Sequence, residues 1–350
     1  MVADADVDAR GLRGPWRLTW DRFRRDRLSI GAAYLFGAVV LLSFAGGPIA
    51  SRMLGHTGED LLPYAVNVNL RPVGLWTHVP DVNEGSSIND DGSLGPPPPG
   101  VKQALLVLGA DGPLGRDQLL RVLDGGKTTL EIAIGGVLFA LMIGVPLGGV
   151  AGFRGGMLDA SIGRLTEFVM AFPLILFLVL VSVRLSGSLN PIGFSPILPP
   201  GVSAEALLIG LFTWFYPSRL VRAQLLVLRE SEFVEAGRMI GSSDLRILRS
   251  DLLPHLVPIL IVWSMIAAGT NMLLEVGISF LGVGVQASTP TWGSMLTTTW
   301  GTIFAPKAYN PLSYTPWQTL VPSIAILLSV VSLNQIGEGL RSALAPRAYR

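Results

Sequence analysis

Uncharged apolar runs alternate along this chain with polar connections, several of them rich in arginine. Residues 28–50 (LSIGAAYLFGAVVLLSFAGGPIA), 132–153, 256–274 and 317–337 contain no Asp, Glu, Lys or Arg. A helix rises about 1.5 Å per residue, so about 20 apolar residues cross a hydrocarbon core roughly 30 Å thick. These four runs predict membrane-spanning helices. Two further runs are weaker: 168–183 (FVMAFPLILFLVLVSV) is short and carries Pro173, and 206–218 reaches spanning length only by including Glu205 and Arg219. Neighbouring groups can satisfy a carbonyl freed by proline within a membrane helix, so both are retained. The expected architecture is all-α, a polytopic membrane protein with six transmembrane helices.

Composition strengthens that reading. Half of the 350 residues are hydrophobic, 15% are charged and the mean hydropathy is +0.52, which excludes a single water-soluble domain. Seven arginines precede the first run, as before a signal peptide, but its length of 23 residues predicts a retained anchor. The absence of cysteine excludes disulfides and thiolate metal sites.

Cytoplasmic loops retain Lys and Arg, and 18 of the 26 fall on one side if the N-terminus is cytoplasmic. Both termini are therefore expected on the cytoplasmic side, with 1–27 an interfacial segment and 339–350 a cytoplasmic tail. The long external loop, 51–127, has nine acidic and six basic residues. Long loops cross regardless of charge. Within it, GPPPPG (95–100) predicts a stiff spacer and SSINDDGS (86–93) a flexible stretch; a small external fold and disorder both remain open. Ahead of the first run, Trp16, Trp20 and Phe23 fall at i, i+4 and i+7 among arginines. That pattern predicts a helix lying in the headgroup layer, against the plainer alternative of a basic flank with incidental aromatics.

GGKTT (125–129) resembles the end of a nucleotide-binding phosphate loop. Such a loop needs glycine five residues before Gly126, where this chain has Arg121, and it needs a preceding strand and a helix start aimed at phosphate. The stretch instead leads into a span from the outer side, away from cellular ATP. LSGSL (185–189), an echo of a transport-ATPase signature, also falls outside. Energy must come from another polypeptide or from an ion gradient. Gradient-driven carriers keep ionisable groups within their spans, whereas Glu167, Arg184, Glu205 and Glu275 here fall at span ends, and His56, His78 and His255 lie outside the spans.

The amphipathic stretch EFVEAGRMIGSSDLRILRSDLLP predicts two short helices broken at Gly241-Ser242-Ser243, with Ser242 or Ser243 capping the second and Pro254 marking the start of the next span. Ala236, Gly237 and Gly241 leave one face free of bulky side chains, suited to close docking. This stretch resembles the coupling loop of ABC importer permeases, whose pattern is E-A-A, three residues, G, nine residues, I, one residue, L-P. Glu235, Ala236, Gly237, Gly241, Leu253 and Pro254 match those spacings; Gly237 replaces the second alanine, and Asp251 the isoleucine. LGRDQLLRVLDGGKTTL (114–130), AFPLILFLVLV (171–181), ISFLGVGVQASTPTWGSML (278–296) and GEGLRSALAPR (337–347) resemble the dipeptide/oligopeptide/nickel branch.

The resemblance implies a type I ABC importer permease fold with cytoplasmic coupling helices, in a permease core spanning 128–338 with its coupling loop at 229–254. It also implies a transport subunit without catalysis: no cofactor in this chain, and ATP and Mg on two separate ABC ATPase subunits. Further implied partners are a second homologous permease and an external substrate-binding protein, with a lipid membrane around them and no nucleic acid. Cargo would be short peptides, with nickel chelates or oligosaccharides as alternatives. For Glu235 the competing reading is a solvated acid favouring a helix start; Gly241 divides between hinge and contact. Arg238, Arg246 and Arg249 divide between the ATPase and lipid headgroups. Near the outer end of a span, Glu275 with Ser279, Gly282 and Gly284 suggests a gate or substrate mouth; otherwise Glu275 tops its helix at the interface, with Arg184 a conceivable partner. Pro173 is expected to kink its helix, and Gly144, Gly148, Gly149 and Gly152 to permit close helix contact. A self-sufficient channel or ion-coupled carrier would need polar spans. An intramembrane enzyme would need a catalytic constellation, which the spans do not display.

Overall fold

The computed structural model describes residues 15–66, 72–82, 95–97, 99–189, 201–285, 289–304 and 316–344. Asp26 caps α2 (Arg27–Leu41), accepting from the Leu28 amide at 3.1 Å. The helix continues through a π-helical turn at Leu42–Gly46 into α3 (Gly47–Leu54), giving one 28-residue apolar span. Before it, α1 (Pro15–Phe23) is helical as expected, but Phe23 is buried. Arg22 reaches the Ala343 carbonyl at 3.3 Å. Part of the apolar face thus meets the protein's last helix, α13 (Pro316–Leu344), and only part is free for lipid.

The segment expected to lie outside contains a small fold, which corrects the all-α expectation to a mostly helical one. Strands β1 (Thr77–Pro80) and β2 (Gln103–Leu106) pair antiparallel, as do β3 (Ala110–Asp111) and β4 (Arg116–Asp117). Leu62, Ala65, Val79, Ala104, Leu106 and Ala110 form its core. This fold sits on the bundle: Gln118 donates to the Trp317 carbonyl at 3.1 Å, and Gln318 to the Ala110 carbonyl at 2.8 Å. The stretch SSINDDGS lies outside the described residues.

The expected loop boundary at 127 is also revised. Asp117 accepts from the Leu120 amide at 3.1 Å and starts α4 (Gln118–Arg154), a 37-residue helix. Arg121 is buried against Asp111, their ion pair measuring 2.6 Å. GGKTT therefore lies inside a helix rather than in a phosphate-cradling loop. A Cβ at Gly126 would run into Trp292, and one at Gly125 would press on the Thr291 backbone. Trp292 begins α12 (Trp292–Phe304), donating its indole N–H to the Val122 carbonyl at 2.8 Å.

Farther along α4, the glycines expected to permit close contact do so at three of four positions. Cβ atoms at Gly144, Gly148 and Gly152 would collide with backbone at Trp214, Ser218 and Arg222, whereas Gly149 meets nothing within 4 Å. The partner is α8 (Phe215–Leu228), which follows α7 (Val202–Thr213) after a break at Trp214. Lipid tails are as apolar as these side chains, so packing of this kind, rather than water expulsion, holds such helices together.

Between α4 and α7 lie α5 (Gly156–Met170) and α6 (Leu174–Leu189). They bend by 80° at their junction. Pro173 therefore marks a break, more than the expected kink: it offers no amide to the helix and disfavours helical geometry at Phe172. After α8 come α9 (Glu232–Met239), the single turn α10 (Asp244–Arg246), a π-helical segment at Ile247–Leu252 and α11 (Leu253–Phe280). Leu130, Ala133 and Val137 of α4 pack with Ala268 and Met272 of α11, Met295 of α12, and Ile326 and Leu333 of α13. Among the described residues, four helices are long and apolar enough to cross a membrane, five if α5 and α6 count as one bent span. The run 206–218 forms only the 12-residue apolar helix α7 before the chain breaks.

Candidate functional site

The segment 229–254 folds much as its residue pattern predicts. Helix α9 stops at Met239, and Gly241 adopts a left-handed φ of +79°, open to solvent with nothing within 4 Å of a hypothetical Cβ. A residue with a side chain is strained there, which explains a glycine at the break. Ser243 occupies the N-cap of α10 with extended backbone, but its side chain makes no capping bond.

One residue anchors α9 in the core. Val234 is buried with Val221, Leu225, Ile247, Leu252 and Leu256. Two ring contacts add lateral support: Phe233 stacks on His255 at 5.4 Å, and the Arg238 guanidinium lies 5.9 Å from the Phe153 centroid near the end of α4. Arg229 donates to the Gly152 carbonyl at 3.4 Å. The remainder of α9 projects outward. Glu235 and Ala236 are exposed and Gly237 half-buried, while Met239 and Ile240 form an apolar tip, each 82% exposed. Leu253 and Pro254 are exposed at the first turn of α11, and Asp251, in the place of an expected isoleucine, accepts from His255 Nδ1 at 2.6 Å through its backbone carbonyl oxygen. Gly237 is compatible with the alanine it replaces, because a Cβ there would lie 3.7 Å from Ile247.

At the other end of α11, Glu275 departs from expectation. It is fully buried, not topping a helix at an interface, and α11 continues to Phe280 beyond it. Its Oε1 accepts from the Ser279 hydroxyl at 2.8 Å. Gly282 turns the chain at φ +77°, and a Cβ at Gly284 would collide with Ser279. The Arg184 side chain, suggested as a partner, lies outside what is described. Glu205 belongs to the same buried region instead, in the first turn of α7. The sequence pairing missed it because 70 residues separate the two acids; the acid embedded in an apolar run with serine at i+4 was the one local signal.

Between α6, α7, α8 and α11 runs a cavity of about 310 Å³ lined by Leu174, Thr213, Tyr216, Trp263, Thr270 and Asn271, among others. Asn271 is held by donating to the Ala133 carbonyl at 3.3 Å. Mostly apolar walls with a few hydroxyl and amide groups suit a solute handled without a fixed charge partner. Among the described residues no group of three or more His, Asp or Glu side chains is arranged to hold a metal ion.

Several helices long and apolar enough to cross a bilayer, with a mainly apolar cavity among them, define an integral membrane protein. Residues 144–350 match the family described as the binding-protein-dependent transport system inner membrane component, and the chain belongs to that family. It is an ABC importer permease subunit. A Brucella ovis protein named as a peptide permease is 35% identical over 240 residues, covering 69% of this chain and 72% of that protein. The glutathione transport system permease protein GsiD of Pectobacterium atrosepticum is 30% identical over 338 residues, 97% of this chain and 93% of its own length. A chain of the MetNI methionine ABC transporter in an inward-facing structure is 19% identical, with a TM-score of 0.47 over 64% of this chain and 96% of that one.

Proposed function

We propose that this subunit forms half of the translocation pathway for short peptides, delivered by an external binding protein and driven by two ATPases on partner chains. The relatives named for peptide and glutathione transport support that substrate class over nickel or oligosaccharide. A second, homologous permease supplies the other half. Six crossings follow if α5 with α6 is one span and α7 with α8 another, which places both termini, 1–27 and 339–350, in the cytoplasm and the β-containing fold outside. The cavity beside Tyr216, Trp263 and Asn271 is part of the pathway wall.

The observation that carries the coupling role is the projecting tip of α9. Met239 and Ile240 lie uncovered beside the left-handed Gly241, on a helix anchored in the core by Val234. In this reading Glu235, Ala236, Gly237 and Gly241 seat in a cleft of the ATPase, with Leu253 and Pro254 passing the displacement into α11. ATP and Mg act on those partners. A partner shifts an equilibrium only through preferential binding to one state, and about 5.5 kcal/mol moves it from 1:99 to 99:1. That is within reach of a modest interface.

The test is Glu235→Lys in the complex reconstituted with its binding protein. Peptide uptake should be abolished while the subunit inserts normally, and the chain alone should hydrolyse no ATP. Undiminished uptake by the variant would refute the coupling assignment.

A further inference from the structure

Glu205 and Glu275 enter the same apolar region from different helices. Glu205 is 6% exposed and Glu275 wholly buried. Both Glu205 oxygens and Glu275 Oε2 are buried without a well-formed hydrogen bond, the Val285 backbone amide facing Glu205. The two carboxylates lie within each other's electrostatic reach. Apolar walls surround them: Ile132 from α4, Leu178 from α6, Val202 and Ile209 from α7 and Ile278 from α11. The polar neighbours of Glu275 are the hydroxyls of Thr129, Ser279 and Thr291. Glu131, also on α4, pairs with Lys127 at 3.9 Å instead. Among the described residues, no Lys, Arg or His stands against either member of the pair.

Two buried carboxylates within each other's electrostatic reach cannot both carry an uncompensated charge, and the neutral amide and hydroxyls around them supply no positive charge to offset it. The missing element is one positive charge. An all-oxygen donor set selects a hard cation over a soft one. We propose that Glu205 and Glu275 form a binding site for one small hard cation, a proton or an alkali-metal ion, held between the start of α7 and the last turns of α11. The occupant joins those helices near the Leu281–Val285 turn, whose Val283 and Val285 pack against the same apolar cluster. Its loss leaves two like charges facing each other and drives the helix ends apart. This assignment does not depend on which solute the transporter carries.

The test uses the full chain in lipid nanodiscs, with Glu205→Gln and Glu275→Gln as near-isosteric variants. If the occupant is a proton, infrared spectra of the wild type at neutral pH contain a buried carboxylic-acid carbonyl band that both variants lose. If it is an alkali ion, sodium or potassium chloride raises the melting temperature above that in choline chloride, and both variants lose the shift. Either result supports the site. Absence of both signatures in the wild type, or their persistence in the double variant, would overturn it. So would signatures that arise only after Arg184→Gln, because the chain itself would then supply the charge.

Discussion

His56 joins the C-terminal end of α3 to the N-terminal end of α4, and its protonation should set how firmly they hold. It follows α3 directly and is 3% exposed. Nε2 lies 2.9 Å from Asp117 Oδ2 and Nδ1 lies 3.3 Å from the Leu54 carbonyl. Both ring nitrogens face acceptors, so only the imidazolium can donate to both. The hydrogen bond to Asp117 raises the His56 pKa above its ordinary 6.5; burial opposes the rise, while the Asp117 charge, the Leu54 carbonyl and Asp81 add to it. A raised folded-state pKa stabilises the fold fully below about pH 6.5, and that contribution is lost as pH climbs through the folded value. Between those limits the slope approaches about 1.4 kcal/mol per pH unit, a tenfold change in local opening. Hydrogen exchange of the full chain in nanodiscs, corrected for intrinsic rates, should show protection at residues 55–58 and 120–123 falling with rising pH above that value. His56→Gln should flatten the dependence, and Asp117→Asn should move it toward lower pH. An unchanged slope in His56→Gln, or protection that grows with pH in the wild type, would refute the reasoning.

Two further outcomes follow from glycines. Gly237→Ala should stabilise α9 by about 0.5–1 kcal/mol, since the helix loses a conformationally costly residue and the new Cβ meets Ile247 at an ordinary 3.7 Å; slower amide exchange across 234–240 is the readout, and faster exchange would contradict it. Gly148→Ala should destabilise the bundle by roughly 1–3 kcal/mol, because its Cβ would meet the Ser218 backbone rather than a yielding side chain. Gly149→Ala, facing open space, serves as the control, and equal melting temperatures for both variants would count against the packing account.

The four long spans were legible because twenty or so uncharged residues have few alternatives to a membrane helix. The helical break within 229–254 was legible through local chemistry: an acid near a helix start, a glycine at the break and serine before the next turn. What failed was information held in tertiary contacts. Near 206–218 only Pro217, in the first turn of α8, hints at the break at Trp214, and α12 has no apolar run long enough to signal a helix of its own. GGKTT carried misleading local information, since its glycines are small to admit Trp292, not to turn around phosphate. The β-containing fold rests on six small or aliphatic residues scattered from Leu62 to Ala110, too sparse to outweigh the intervening polar stretches. Glu205 and Glu275 acquire meaning only when α7 lies beside α11.

Where Gly144, Gly148 and Gly152 meet α8, main chain rests almost directly on main chain. Sliding would lift carbonyls over α-carbons, so the two helices resist shear and should travel as one strut. With 37 residues at about 1.5 Å each, α4 is roughly 55 Å long. A small tilt imposed where Arg238 meets Phe153 would therefore become a larger sweep at Asp117, with the β-containing fold riding on the far end.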